Sequence, residues 1–357
     1  MGRKAPGAGF AQRIVAWQRH SGRHDLPWQR TRDPYRVWLS EVMLQQTQVS
    51  TVLAYYARFL ERFPDVAALA QAPLDDVLAL WSGLGYYSRA RHLHRCAQEV
   101  VAHHGGRFPA TQVALARLPG IGPSTAAAIA AFCHGERAAI LDGNVKRVLA
   151  RHRGFDGDLA LASEQRALWS VASALLPAPA DMPVYTQGLM DLGATVCVAR
   201  RPACADCPVR TDCVAHREGR EAELPLKSRR LVRSRRRHAL LWLQWRDQLL
   251  LVRRPERGVW AGLWSLPEFA DRRAIEKALA NAIPGCTTNL VELAPIHHAL
   301  THFDWQLLPM LARLPARTSA ARRAAIAAEL PGARWATHAE ALQLSLPAPV
   351  RRLIAAG

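Results

Sequence analysis

The chain has 357 residues, half of them hydrophobic, and carries a formal charge of +18 with a pI near 10.7. Such a length favours two domains with separate cores. The basic opening Met1–Ala11 leads into neither a signal-peptide core nor a cleavage site, and no run could span a membrane, so a soluble cytoplasmic protein is expected. A positive field of this size attracts polyanions, which makes nucleic acid the first partner to consider.

The first 220 residues read as helices. Asp33-Pro34 is a start signal, an N-cap acid followed by proline at the first helical position. Apolar residues then recur at helical spacing through Tyr35, Trp38, Leu39, Val42, Val49, Leu53, Tyr56 and Leu60. The phase asks for an apolar residue at position 46, where the chain has Gln45-Gln46-Thr47 instead. That interruption predicts a helix break presenting amides to solvent or to a ligand. Glu41 falls about 100° from the stripe, at the rim of the buried face. Partial loss of water there would raise its pKa and make it a proton donor near neutral pH.

Further helices are expected over 66–72, 74–81, 88–103, 112–118, 124–133, 143–152, 164–176 and 185–196. Leu118-Pro119-Gly120-Ile121-Gly122 precedes one of them. Both glycines permit positive φ in a tight turn and leave N–H groups free at a helix N-terminus. This arrangement holds a phosphate without reading bases, and the pattern matches a helix–hairpin–helix. Leu141-Asp142-Gly143-Asn144-Val145 opens another helix, where Asp142 can cap the helix or aim a carboxylate at whatever the hairpin holds. The helix ending near Val196 delivers Cys197-x6-Cys204-x2-Cys207-x5-Cys213. A sulfur-only ligand set points to a soft metal; uneven gaps and Pro208 favour an iron–sulfur cube and leave zinc open.

Composition shifts beyond Cys213. Lys227–Arg237 carries seven basic residues in eleven and reads as an exposed linker or DNA-facing arm. Strand-like runs at 239–245 and 248–252 meet at Arg246-Asp247, as in a hairpin. A helix at 271–282, a strand near 305–311 and a terminal helix at 349–356 complete an α+β domain.

Taken together, Trp38–Gln48, Trp81–Tyr87, Leu118–Gly122, Leu141–Val145 and the four cysteines resemble the adenine DNA glycosylases of the endonuclease III superfamily, over essentially the whole chain. The resemblance implies a multidomain protein. An all-α helix–hairpin–helix glycosylase region would cover 1–221, as a six-helix module of about 33–140 and an iron–sulfur module made of the N-terminus plus about 141–221. The active site would lie in the cleft between those modules. A basic linker, 222–237, would lead to an α+β Nudix-like domain, 238–357, that recognises 8-oxoguanine. One structural [4Fe–4S] cluster would sit on Cys197, Cys204, Cys207 and Cys213. The implied partner is double-stranded DNA with adenine opposite 8-oxoguanine or guanine, bound by a monomer.

By the same resemblance Glu41 would protonate the flipped adenine at N7, and Asp142 would stay ionised beside the oxocarbenium-like sugar, with Asn144 in the same catalytic group. Gln46 would fill the vacated duplex space, with Gln45 and Thr47 beside it, and Tyr86 would wedge next to the oxidised guanine. Trp28, Gln29 and Gln187 would line the adenine pocket, while Gly120, Gly122 and Ser124 would meet the DNA backbone. Arg257–Pro267 and His297–Phe303 look like the recognition domain. The family often has Phe-Ser-His where this chain has Leu300-Thr301-His302, so discrimination would rest on Thr301 and His302.

Two other readings use different residues. An endonuclease III-type glycosylase/lyase needs an amine nucleophile, which the lyases place two residues after the second hairpin glycine. Ser124 stands there, so a monofunctional enzyme is expected, with Lys146 in a salt bridge to Asp142 one turn away. A non-enzymatic, DNA-binding iron–sulfur redox sensor would need the cluster and the charge, but not the two acids.

Overall fold

The computed structural model describes residues 9–228, 232–282 and 289–357. It divides into two compact units, Met1–Gln71 with His92–Arg230, and Ala72–Arg91 with Leu231–Gly357. Among the described residues no helix is long and apolar enough to cross a membrane.

The first unit is helical. The helix Pro34–Leu44 starts as its sequence dictates, with the Asp33 carboxylate accepting the Tyr35 N–H at 3.0 Å. Its apolar face buries Trp38, Leu39, Val42 and Met43. The break expected at Gln45–Thr47 is present: Gln45 leaves the helix and Gln46 takes a φ of 56°. A new helix, Val49–Arg62, follows with its phase reset. Its buried residues are Val52, Tyr56 and Phe59, whereas Leu53, expected on the inner stripe, is exposed. The stripe cannot run through a break that rotates the chain.

The helix Pro123–His134 is buried on all sides from Ala126 to Ala131, and its small side chains let Pro34–Leu44 and Met182–Asp191 approach it. Phe10–Ser21, absent from the sequence reading, packs against Met182–Asp191. The single helix expected over 185–196 is an α-helix that ends at Asp191 and continues as a π turn, Leu192–Val196. Gly193 lies at the closest approach of this turn to Gly143–Arg153. A Cβ built there would fall 2.6 Å from the Asn144 Cβ, so a larger residue has no room. The turn closes with the Cys197 N–H donating to the Leu192 carbonyl at 2.7 Å.

The second unit is built on a mixed sheet. Strand Ser234–Trp245 pairs in parallel with Phe303–Arg313 from Ser234↔Phe303 to Gln244↔Arg313, and antiparallel with Gln248–Arg253 through the expected hairpin at Arg246. Ala333–Thr337 pairs with the far side of Gln248–Arg253, and Ile296–Ala299 lies beside Phe303–Arg313. Helices Arg272–Ala282 and Ala320–Ala328 bring Ile275, Leu279 and Ile326 onto Leu241, Leu243 and Met310.

Two expectations need amendment. The strand begins at Ser234, five residues before the apolar run, so Arg235–Arg237 belong to the sheet and not to a linker. The backbone ladder with Phe303–Arg313 recruits them, although their exposed side chains give no strand pattern. Residues 229–231 of the basic run lie outside the described residues. The segment Ala72–Arg91 groups with the sheet rather than with the helices around it in sequence. Asp75 pairs with Arg253 at 3.0 Å, Ser82 Oγ donates to the Leu346 carbonyl at 2.8 Å, and Arg91 donates to the Ala261 carbonyl at 2.8 Å.

Gly193→Ala tests the close approach. It should lower the stability of the helical unit by about 1–3 kcal/mol, through overpacking against Asn144, and chemical denaturation followed by circular dichroism measures this.

Candidate active site

An open cavity of about 240 Å³ lies within the helical unit, on a wall that includes Trp28, Gln29, Glu41, Phe132 and Gln187. A purine base is smaller than the drug-sized ligands for which pockets of roughly 300–1,000 Å³ are usual. The wall draws on the N-terminal segment and on the helices Pro34–Leu44, Pro123–His134 and Met182–Asp191. Sequence elements assigned to two modules therefore meet here.

Glu41 sits on that wall, on the last turns of Pro34–Leu44. Loss of water pushes its carboxyl up from 4.5 to about 8, and the nearby charge of Asp142 adds to the shift. Asp142 caps Gly143–Arg153 by accepting the Val145 N–H at 2.7 Å. It is not among the cavity-lining residues, but it is close enough for its charge to act on Glu41. Asn144 turns elsewhere: its Oδ1 accepts from Arg147 at 2.9 Å. Lys146 does not pair with Asp142 as expected. Its ammonium donates instead to the Gln165 amide oxygen at 2.7 Å, an acceptor brought by the helix Ala162–Ala174.

Trp28 is 7% exposed and meets Tyr56 edge-on at 5.3 Å, so it is both core and cavity wall. The buried Gln29 Nε2 has no hydrogen-bond partner among the described residues, and its Oε1 accepts from the Leu26 N–H at 3.3 Å. Gln187 donates from Nε2 to Asp191 Oδ1 at 2.8 Å. At the helix break Gln45 Nε2 donates to Thr125 Oγ1 at 3.4 Å, Thr47 is half-buried, and Gln46 is exposed.

In the hairpin, Gly120 has a φ of 77° and a Cβ there would lie 2.5 Å from the His92 Cβ, so both conformation and space call for glycine. Gly122 differs from expectation, with an extended φ of −82° as N-cap of Pro123–His134. Ser124 Oγ accepts the Leu141 N–H at 3.0 Å, joining the hairpin helix to the segment that leads to Asp142.

The four cysteines Cys197, Cys204, Cys207 and Cys213 are free, half-buried, and line one small cavity. Arg151 donates to Cys197 Sγ at 3.5 Å. This donor set fits a thiolate-bound cluster. Cys204, His216 and Glu221 also place ligand atoms within 4.8 Å of one another, a mixed set that would suit zinc but would leave three of the thiols unused.

In the second unit Tyr86 is 45% exposed with a φ of 48°, and its hydroxyl lies 3.1 Å from Thr301 Oγ1. His302 is exposed beside it in sequence. The sequence reading missed Arg23 and Asp191, which hold one wall of the cavity. Asp191 is a lone acid on the apolar helix Met182–Asp191, four residues after Gln187, and that isolation was the available signal.

Residues 39–172 match the family described as HhH-GPD superfamily base excision DNA repair protein, and residues 238–356 match the NUDIX domain. The adenine DNA glycosylase of Buchnera aphidicola subsp. Acyrthosiphon pisum (strain APS) is 34% identical over 307 residues, 86% of this chain and 87% of its own. The adenine DNA glycosylase of Homo sapiens is 33% identical over 393 residues, 93% of this chain and 70% of its own. Among solved structures, a thermostable thymine-DNA glycosylase aligns with a TM-score of 0.53 at 29% identity, over 58% of this chain and 95% of that one. Endonuclease III in a non-covalent DNA complex shares the fold, with a TM-score of 0.50 at 20% identity over 58% and 94%.

The burial of Glu41 has a cost that titration exposes. Between pH 4.5 and about 8 the folded chain keeps a proton that the unfolded chain releases, so this group's contribution makes stability fall as pH rises through that window. Glu41→Gln removes the dependence. The variant should gain stability over the parent progressively from pH 5 to 8, by on the order of 3–4 kcal/mol at the upper end, in denaturant titrations at each pH.

Proposed function

The chain belongs to the adenine DNA glycosylases, and on that premise we propose that it excises adenine mispaired with 8-oxoguanine or guanine by hydrolysing the N-glycosidic bond, without cutting the strand. DNA binding and base-excision chemistry come with the family. The choice of mispair, the roles of individual residues and the cofactor are our reading.

The observation that carries the reading is Glu41, a carboxyl pushed up to about 8 on the wall of a base-sized cavity. Adenine leaves poorly as an anion, so it needs a proton in the transition state, and a donor with this pKa still holds one at neutral pH. Glu41 protonates the extruded adenine at N7. Asp142, within electrostatic reach and held by its Val145 contact, acts as the carboxylate that stabilises the oxocarbenium-like sugar and guides water to C1′. Environment thus separates two carboxyl groups into acid and stabiliser. Extrusion costs a few kcal/mol of stacking and pairing, which Gln46 offsets by entering the gap, with Gln45 and Thr47 at its base. Its positive φ and exposure at the helix break support that role. The hairpin from Gly120 to Ser124 grips the phosphate backbone.

Two further observations bear on specificity and on the cofactor. Tyr86 and Thr301 meet through their hydroxyls, which supports one recognition surface, with His302, for the base opposite adenine. Ser124, at the position where the lyases carry their amine, has none to offer, which supports a reaction without a Schiff base. Cys197, Cys204, Cys207 and Cys213 hold one [4Fe–4S] cluster, whose task is to fix the loop that carries them.

Release of free base from duplexes carrying A:8-oxoguanine, A:G and A:T tests the function. The first should react fastest and the last barely, with the strand intact until alkali is added; equal rates would remove the mispair assignment. Glu41→Gln and Asp142→Asn should each slow single-turnover excision at least about 100-fold while keeping DNA affinity, and the parent rate should fall as pH rises above about 8. Elemental analysis should find iron and acid-labile sulfide in equal amounts and no zinc, and Cys207→Ser should lose both.

A further inference from the structure

We infer that Asp191, anchored by Arg23, is a positioning residue that fixes which end of the Gln187 amide faces the base cavity and thereby selects a purine bearing an exocyclic amine. The inference deepens the proposed function and rests on its assignment of the cavity to the extruded base.

Asp191 closes the helix Met182–Asp191, and its side chain is fully buried. A carboxylate there is tolerated because its oxygens are engaged. Oδ1 accepts from Arg23 Nε at 2.8 Å and pairs with Nη2 at 2.7 Å, while Oδ2 accepts the Arg23 backbone N–H at 3.0 Å. Gln187 stands one helical turn earlier, on the same face. Its amide donates to Oδ1 at 2.8 Å.

The direction of that bond follows from chemistry alone. An ionised carboxylate accepts and cannot donate, so the atom facing it must be the Gln187 NH₂ group. The carbonyl Oε1 is therefore the end left over. It has no partner among the described residues, and Gln187 lines the cavity. A fixed acceptor complements the N6 amine of adenine and opposes the O6 acceptor of guanine or hypoxanthine. Were the amide free to turn, its NH₂ could serve an O6 base equally well. Asp191 removes that freedom without touching the base.

Arg23 gives the device its rigidity. It comes from the segment after Phe10–Ser21 and also lines the cavity, so one ion pair joins the N-terminal segment to the helix that carries Gln187. A site with a pre-set acceptor discriminates through the unpaired polar group left when the wrong base enters.

The test compares single-turnover excision of adenine and of hypoxanthine, each opposite 8-oxoguanine, by the full-length protein. Parent protein should favour adenine. In Asp191→Asn, whose amide can donate to Gln187 Oε1 and so permits the turn, the adenine/hypoxanthine ratio should fall about tenfold. A purely structural role would slow both bases alike and leave the ratio unchanged, because the folded fraction cancels. Gln187→Leu, a change on the cavity wall, should lower the ratio as well, and Asp191→Asn should have no further effect on it in that background. An unchanged ratio in either single variant overturns the inference. Absence of adenine release by the parent protein would instead remove the functional reading beneath it.

Discussion

Two arginines on one face of the helix Gly143–Arg153 tie the cysteine loop to the helix that Asp142 caps. Arg147 donates to the carbonyls of Cys197 and Gly193, each at 2.7 Å. Arg151 is only 3% exposed, and its guanidinium is spread over the carbonyls of Val198, Ala199 and Leu224 as well as the Cys197 sulfur. A buried guanidinium is tolerated only when its donors are satisfied. The loop, with little regular structure beyond short turns at Cys204–Asp206 and Arg210–Asp212, supplies the acceptors. Each side thus settles the other: the helix orders the loop, and the loop carbonyls permit buried charge on the helix that Asp142 begins.

Chemistry at the cavity depends on the same economy of water. Pro34–Leu44 delivers Glu41 into a setting where its charged form is poorly solvated, and the carboxyl rises to about 8. The helix then stops at Gln45, because three consecutive polar residues cannot continue an apolar face, and the reset helix restores burial through Val52, Tyr56 and Phe59. Acid and exposed glutamine are therefore placed within a few residues of each other by one change of phase. Asp191 shows the opposite treatment of a carboxylate, being buried but fully paired. Glu41 and Asp191 differ in their partners: Asp191 is paired with Arg23, whereas loss of water and the charge of Asp142 raise the carboxyl of Glu41.

The C-terminal unit is organised around its parallel ladder. Ser234–Trp245 is exposed and basic in its first half and buried and apolar in its second, whereas Phe303–Arg313 buries Phe303 and Trp305 in its first half before the buried run from Leu307 to Ala312. The segment Ala72–Arg91 is held to this sheet unit by Asp75, Ser82 and Arg91, which brings Tyr86 to Thr301. Residues distant in sequence come together through polar contacts that no local pattern announces.

Sequence by itself determined the helices with caps and periodic faces, the break at Gln45–Thr47, the hairpin turn at Gly120, the four-cysteine spacing and the hairpin at Arg246, because each follows from local sterics or short-range periodicity. Glu41 was recognisable as a rim acid for the same reason. Tertiary structure alone decided that Glu41 loses enough water to hold its proton, that Lys146 turns to Gln165, that Asn144 serves Arg147, and that Arg235–Arg237 join a strand. Those outcomes depend on which partners arrive from elsewhere in the chain, and neither burial nor a non-local hydrogen bond leaves a periodic trace in the residues it involves.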